Sequence, residues 1–238
     1  MKIAVCISGQ QRMNPWADRS EMDDNLLYAF RNVDVDIFRH TWDNSVIHAY
    51  EDLIIEPEPE IHYHPVLDTT EFAGEYFQTK RNNGGPSLKL FQGTKQILAH
   101  NTLVSRLDKE YDLIVRCRWD VYFSRELDYN RWFEKSYNEG PIGMGYWDWN
   151  QKVLNNPTPH LGEQNKNNVR WYKMISPEAM IMHRPEYWDC KRVNDLHESG
   201  NLLPAEWGWY QVLVNGREDH KGYLGGVLTL SQTGGRKK

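Results

Sequence analysis

Cysteine is scarce in this chain: three in 238 residues, at positions 6, 117 and 190. The odd number and wide spacing exclude a disulfide scaffold, and no Cys/His spacing typical of structural zinc is present. Cys6 and Cys117 fall in apolar runs and read as buried free thiols of a reducing compartment. Long apolar runs are missing too: nothing approaches the ~18 residues that span a bilayer, and no signal-peptide core follows Met1, so no transmembrane segment and a cytoplasmic location are expected. Basic blocks are confined to the terminal "GRKK", and the formal net charge is −5, so the electrostatic footprint of a nucleic-acid binder is lacking. Three motifs are also absent. No Gly-x4-Gly-Lys-Ser/Thr supports a P-loop enzyme, no Gly-x-Gly-x-x-Gly follows the first strand, and no Gly-x-Ser-x-Gly elbow supports a serine hydrolase. No repeat of fixed period is visible.

What is present suffices for a packed core, with 39% hydrophobic and 13% aromatic residues. "KIAVCISG" (2–9) reads as a buried first strand closed by Ser and Gly. Ser20 with Asp23 resembles a capping box ahead of a helix over 21–31, and "VDVDIFRHTW" (33–42) alternates like a second strand, completing a βαβ unit. Residues 56–86 are acidic and rich in Pro, Gly and Asn, which predicts surface loops with one short strand at "IHYH". The two histidines of "HYH" lack a third ligand, so zinc is not expected there. Leu88, Phe91, Ile97, Leu98, Leu103 and Leu107 form a helical stripe over 87–109, leading into a strand at 111–117. Further on, the pattern predicts a helix over 128–136, a strand at 142–146 and a polar loop over 147–170. Strands at "YKMIS" and "AMIMHR", helices over 185–198 and 204–215, and a last strand near the C-terminus complete it. The expected fold is one α/β domain.

The most informative stretch is "YDLIVRCRWDVYF" (111–123). A carboxylate at the C-terminal end of a strand, here Asp120, sits where open α/β sheets bind ligands. One carboxylate suits Mg2+ or Mn2+, whose shells are completed by substrate phosphates and water. Arg116 and Arg118 alternate with Cys117 and so share a side of the strand, where guanidinium groups pair with a phosphate or fix the carboxylate. An ordinary strand-end ion pair with Trp119 in the core fits the same residues.

Three stretches, "KIAVCISGQQR", "DVDIFRHTWD" and "YDLIVRCRWDVYF" after a long helix, together resemble a group of GT-A-type glycosyltransferases. These occur in polysaccharide and lipopolysaccharide synthesis clusters and in large viruses and phages, and include the WavE-like proteins. The likeness covers about the first 125 residues. It implies a Rossmann-like mixed sheet flanked by helices, with a nucleotide-binding half (1–125) and an acceptor-facing part (126–238). It also implies a nucleoside diphosphate sugar as donor, a saccharide as acceptor, and the host cytoplasm as location if the chain is viral. Asp120 corresponds to the last acid of the Asp-x-Asp motif through which such enzymes hold a divalent metal, Mn2+ or Mg2+. Arg118 stands where the first acid would be, and an arginine can itself neutralise diphosphate charge. The resemblance further places Ser8, Gly9, Gln10 and Arg12 near the nucleotide; the same loop also reads as a tight turn that uses the φ freedom of Gly9.

Inverting transfer needs a carboxylate base near the acceptor hydroxyl. Glu206 in "LPAEWGWYQVL" is the first candidate, beside Trp207 and Trp209 as sugar-stacking faces, although a carboxylate opening a helix is also favoured by the macrodipole alone. Asp148, between Trp147 and Trp149, is the second candidate, and these tryptophans fit either an acceptor platform or ordinary packing. His183, at the end of "MIMH", is a candidate further metal ligand or a structural histidine. A non-catalytic carbohydrate- or nucleotide-binding protein on the same fold is the alternative reading, motivated by Arg118.

Overall fold

The computed structural model describes residues 1–11, 19–61, 88–119, 121–123, 129–144, 180–202, 205–213, 223–224 and 228–230. The chain opens with β1 (Lys2–Ile7), α1 (Arg19–Ala29), β2 (Asp34–Trp42) and β3 (Leu53–Glu56). The helix α2 (Leu88–Val104) then leads to β4 (Leu113–Cys117), β5 (Val121–Phe123), α3 (Tyr129–Glu139) and β6 (Ile142–Met144). The remaining elements are β7 (Met180–His183), a 3₁₀ turn at Pro185–Tyr187, α4 (Cys190–Glu198), α5 (Ala205–Leu213), β8 (Tyr223–Leu224) and β9 (Leu228–Leu230).

Among the described residues, seven strands form one sheet in the order β3-β2-β1-β4-β7-β6-β8, while β5 and β9 pair separately. β1 runs parallel to β2 and β4, and β2 parallel to β3. β7 is antiparallel to both β4 and β6. The result is a mixed α/β sheet flanked by helices, compatible with a Rossmann-like fold. Among the described residues, no helix is long and apolar enough to cross a membrane.

Strand alternation divides the core. Ile3, Val5, Ile7, Leu113, Val115 and Cys117 face one layer, where Leu26 and Ala29 of α1 and Phe30 just after it meet Tyr129 and Phe133 of α3. Phe30 and Phe133 stack there with centroids 5.1 Å apart. Ala4, Cys6 and Ile114 face the opposite layer beneath Leu103 of α2, and Ile97 of α2 packs with Ile181, Trp188, Val193 and Trp209. β1 and β4 are therefore covered on both sides, which is why both read as nearly continuous apolar runs. Cys6 and Cys117 are free and buried, on opposite faces of the sheet, as their alternation requires.

Several boundaries differ from the sequence reading. α1 begins at Arg19, which places Ser20 inside the helix rather than at its cap. α2 stops at Val104, short of 109. The helix expected over 185–198 is divided: Pro185 opens a 3₁₀ turn, and Asp189 then caps α4 by accepting a hydrogen bond from the Arg192 N–H at 3.0 Å. The strand β3 was hidden in "LIIE", four residues among acids with too little pattern to register. The expected "IHYH" strand beyond residue 61, the loop over 147–170 and the "YKMIS" strand lie outside the described residues.

Beyond β3, the segment 56–60, "EPEPE", is a stapled strap. Glu56 accepts from Arg106 Nη2 at 2.6 Å and Thr102 Oγ1 at 3.0 Å, and Glu58 accepts from Lys95 Nζ at 2.7 Å and Asn44 Nδ2 at 2.6 Å. The Glu60 carbonyl accepts from His197 Nε2 at 3.1 Å. Alternating prolines hold this segment extended, so Glu56 and Glu58 each reach a partner on α2, Thr102 and Lys95, and the Glu60 carbonyl reaches α4.

Candidate functional site at the strand-order reversal

Parallel α/β sheets bind ligands outside the carboxyl ends of their strands, at the point where the strand order reverses. Here that point lies between β1 and β4, because β2 flanks β1 on one side and β4 on the other. The two strands are tied just beyond their ends: Ser8 N–H donates to the Cys117 carbonyl at 3.0 Å. Gly9 follows with φ +99°, a left-handed turn that takes the chain off the sheet. A Cβ at Gly9 would meet nothing within 4 Å, so the requirement for glycine comes from the backbone and not from crowding.

Gln11 finishes the turn. Its N–H donates to Thr41 Oγ1 at 3.2 Å, its side-chain Nε2 donates to the His48 carbonyl at 2.9 Å, and its Oε1 accepts from the N–H groups of Ile47 and His48. Ser45 donates its hydroxyl proton to the Trp42 carbonyl at 3.1 Å, so Thr41 is the donor in the 3.0 Å Thr41–Ser45 contact. One glutamine thus fixes the loops after β1 and β2 against each other. Across β1, Trp119 Nε1 donates to the His40 carbonyl at 2.9 Å, which ties the exit of β4 to β2.

Arg116 is fully buried. Alternation turns it to the α2 side of the sheet, where Nη2 donates to Gln96 Oε1 at 2.7 Å, Nε approaches Ser8 Oγ at 3.5 Å, and the guanidinium lies 5.4 Å from the centre of the Trp209 ring. A permanent positive charge is therefore held directly beneath the Ser8–Gly9 turn. Arg118 is half-buried and Gln10 exposed, both at the same rim. Beside Arg116, Cys117 is pushed up to about 12 by burial and stays a neutral thiol.

The structure brings together Ser8, Gly9, Gln10, Arg116 and Arg118. Arg12, Asp120, Trp147, Asp148 and Trp149 lie outside the described residues. Glu206 and Trp207 belong to the first turn of α5, where the sequence placed Glu206, and their side chains are outside the description. Trp209 is buried against Trp188, His100 and Arg116, which makes it a packing residue and not an open sugar platform. His183 is buried as well. Its Nδ1 donates to the Arg184 carbonyl at 2.9 Å and its Nε2 faces His100 Nε2 at 3.0 Å, so the lone pair a cation would need is already engaged.

Among the described residues, no group of three or more His, Cys, Asp or Glu side chains is placed to hold a metal ion. They do not compose a cation site by themselves. The positive charge the described site does contain is that of arginine.

Sequence reasoning named Gln10 but missed Gln11, Gln96 and His100. For the last two a signal existed: Gln96 and His100 are spaced four apart on α2, interrupting its apolar stripe with polar groups. For Gln11 there was none, because two adjacent glutamines in a loop are equivalent until the fold chooses one. No protein-family model matches the chain, and no curated protein matches it.

Proposed function

We propose that the protein is a glycosyltransferase that moves a sugar from a nucleoside diphosphate donor to a saccharide acceptor, on a GT-A-like sheet. The observation that carries this reading is the meeting of the left-handed Ser8–Gly9 turn with the buried Arg116 at the strand-order reversal. A diphosphate seated over that turn would have a fixed cation below it, in a medium where charge is weakly screened. Arg116 would act through the field from beneath, while Arg118 and Arg12 would supply contact from the rim.

In the reaction, the acceptor hydroxyl oxygen bonds to the anomeric carbon as the bond from that carbon to the diphosphate oxygen breaks. The hydroxyl proton passes to a carboxylate, for which Glu206 is the first candidate and Asp148 the second. The diphosphate leaves carrying the electron pair, and the arginines stabilise it. Asp120 would hold Mn2+ or Mg2+ where the donor requires one. The second reading, a non-catalytic nucleotide- or carbohydrate-binding protein, is favoured by Arg118, which stands where a metal-holding acid would be.

Thermal shift across nucleoside diphosphates and their sugars, with and without Mn2+, tests the proposal on the wild type and Asp120→Ala. A ligand at 100 times its Kd adds about 2.7 kcal/mol, a readable rise in Tm. Stabilisation that needs Mn2+ and disappears in Asp120→Ala supports the metal-assisted transferase. Stabilisation indifferent to Mn2+ supports an arginine-held diphosphate. Turnover of the stabilising donor to free nucleoside diphosphate separates enzyme from binder, and no response to any nucleotide would defeat the transferase and leave a carbohydrate-binding protein as the reading.

A further inference from the structure

The layer between the sheet and helices α2, α4 and α5 contains two histidines in direct contact. His100 and His183 are both fully buried, with their Nε2 atoms 3.0 Å apart. The Arg184 carbonyl can only accept, so His183 Nδ1 carries a proton, its Nε2 accepts, and His100 Nε2 donates. His100 Nδ1 is then left without a proton, and it has no hydrogen-bond partner among the described residues. Two neutral imidazoles with fixed tautomers thereby join the middle of α2 to the end of β7.

Aromatic rings enclose the pair. Trp188 stacks on His183 at 5.5 Å and meets His100 edge-on at 4.6 Å, and Trp209 of α5 leans on His100 at 5.6 Å. The charged and titratable groups around it can be named element by element. β4 contributes Arg116, and β7 continues into Arg184, whose guanidinium is paired with Glu186 at 2.9 Å. α4 contributes the Cys190 thiol, which donates to the Asn101 carbonyl of α2. From α5 the described contact is the neutral ring of Trp209. No described carboxylate touches either imidazole.

We propose that the His100–His183 pair is an acid-released latch, and that a proton entering it loosens Trp209, and with it the seat of Arg116, before the rest of the fold opens. The first proton goes to His100 Nδ1, the one ring nitrogen of the pair bearing neither hydrogen nor, among the described residues, a partner. It creates an imidazolium in an aromatic nest, repelled by Arg116. A second proton, on His183 Nε2, sets two N–H groups head to head and removes the bond between α2 and β7. Burial, with Arg116 and the partner ring, already holds His100 well below the ordinary imidazole range, and burial brings His183 down to about 4. The latch is therefore closed at neutral pH and opens on acidification.

The test is imidazole 15N NMR on the wild-type protein, together with amide exchange corrected for its intrinsic pH dependence. At pH 7, His183 should be the Nδ1–H tautomer and His100 the Nε2–H tautomer. Between pH 6.5 and 4.5, protection at the amides of α5 should fall about tenfold or more while β1 and β4 hold theirs, a local opening and not a global one. His100→Gln keeps an N–H donor toward His183 but has no Nδ1 to protonate, and it should move the onset of opening to lower pH. The opposite tautomers, a histidine titrating near 6.5 with α5 unmoved, or exchange rising in α5 and β1 together would each overturn the proposal. The wild-type spectra decide the question even if the variant does not fold.

Discussion

Gly9 is the residue on which the geometry of the candidate site turns. Its φ of +99° is costly for any residue with a Cβ, and the space around it is open, so substitution isolates the backbone contribution. Gly9→Ala is expected to destabilise the fold by about 1–2 kcal/mol, read by chemical denaturation, and to weaken any nucleotide bound at the turn by more than that loss of stability explains. This position was legible in the sequence, because a glycine closing an apolar first strand has few other uses. Arg116 was legible only in part. Alternation correctly set it apart from Cys117, but burial under α2 and α5 depends on Gln96 and Trp209, which lie 20 and 93 positions away. No local pattern reports a partner at that range.

At the scale of elements, strong periodicity predicted what it could. β2 and α2 were visible because each carries a regular pattern, and β1 and β4 because each is a nearly continuous apolar run buried on both faces. β3 was not, since four residues hold too few alternations to rise above noise. The ends of helices depend on caps, and α4 shows how decisive one cap can be. Asp189, rather than any residue near 185, stops the 3₁₀ turn and starts the α-helix. Asp189→Ala should cost about 1 kcal/mol, seen as a lower denaturation midpoint with unchanged denaturant sensitivity. Asp189→Asn, which keeps the accepting oxygen, should recover most of it. The "EPEPE" strap looked like a loop because its order comes from partners on α2 and α4, not from its own pattern.

Across the whole molecule, the ionisable groups predict one direction of pH dependence. His40 and His183 are each held at about 4 in the fold, chiefly by burial, against an ordinary 6.5. Between those values the unfolded chain takes up protons that the fold refuses. The stability they contribute is therefore complete above pH 6.5 and drains away as pH falls toward 4, each histidine losing up to about 1.4 kcal/mol for every pH unit crossed. Asp36 and Glu58 are both lowered by hydrogen bonds, Asp36 first by Tyr111 and Glu58 first by Lys95, and they remove stability in the same direction at still lower pH. Calorimetric Tm should accordingly fall from pH 7 to pH 4, and His40→Gln should flatten the upper part of that slope. A Tm that stayed level over this interval would show that neither imidazole is held neutral by the fold.

The strand order also has a consequence for how the chain is made. As the polypeptide leaves the ribosome, β1 can pair with β2, and β2 with β3, once residues as far as Glu56 have emerged. Its other edge must wait for Leu113–Cys117, and β4 in turn for Met180–His183. A nascent chain therefore displays first the bare side of β1 and later that of β4, both rich in apolar residues. Such unpaired edges are the surfaces on which growing chains misassociate. The interval between the synthesis of residue 7 and that of residue 183 is where slower translation or a shortage of chaperones would reduce the yield of this protein.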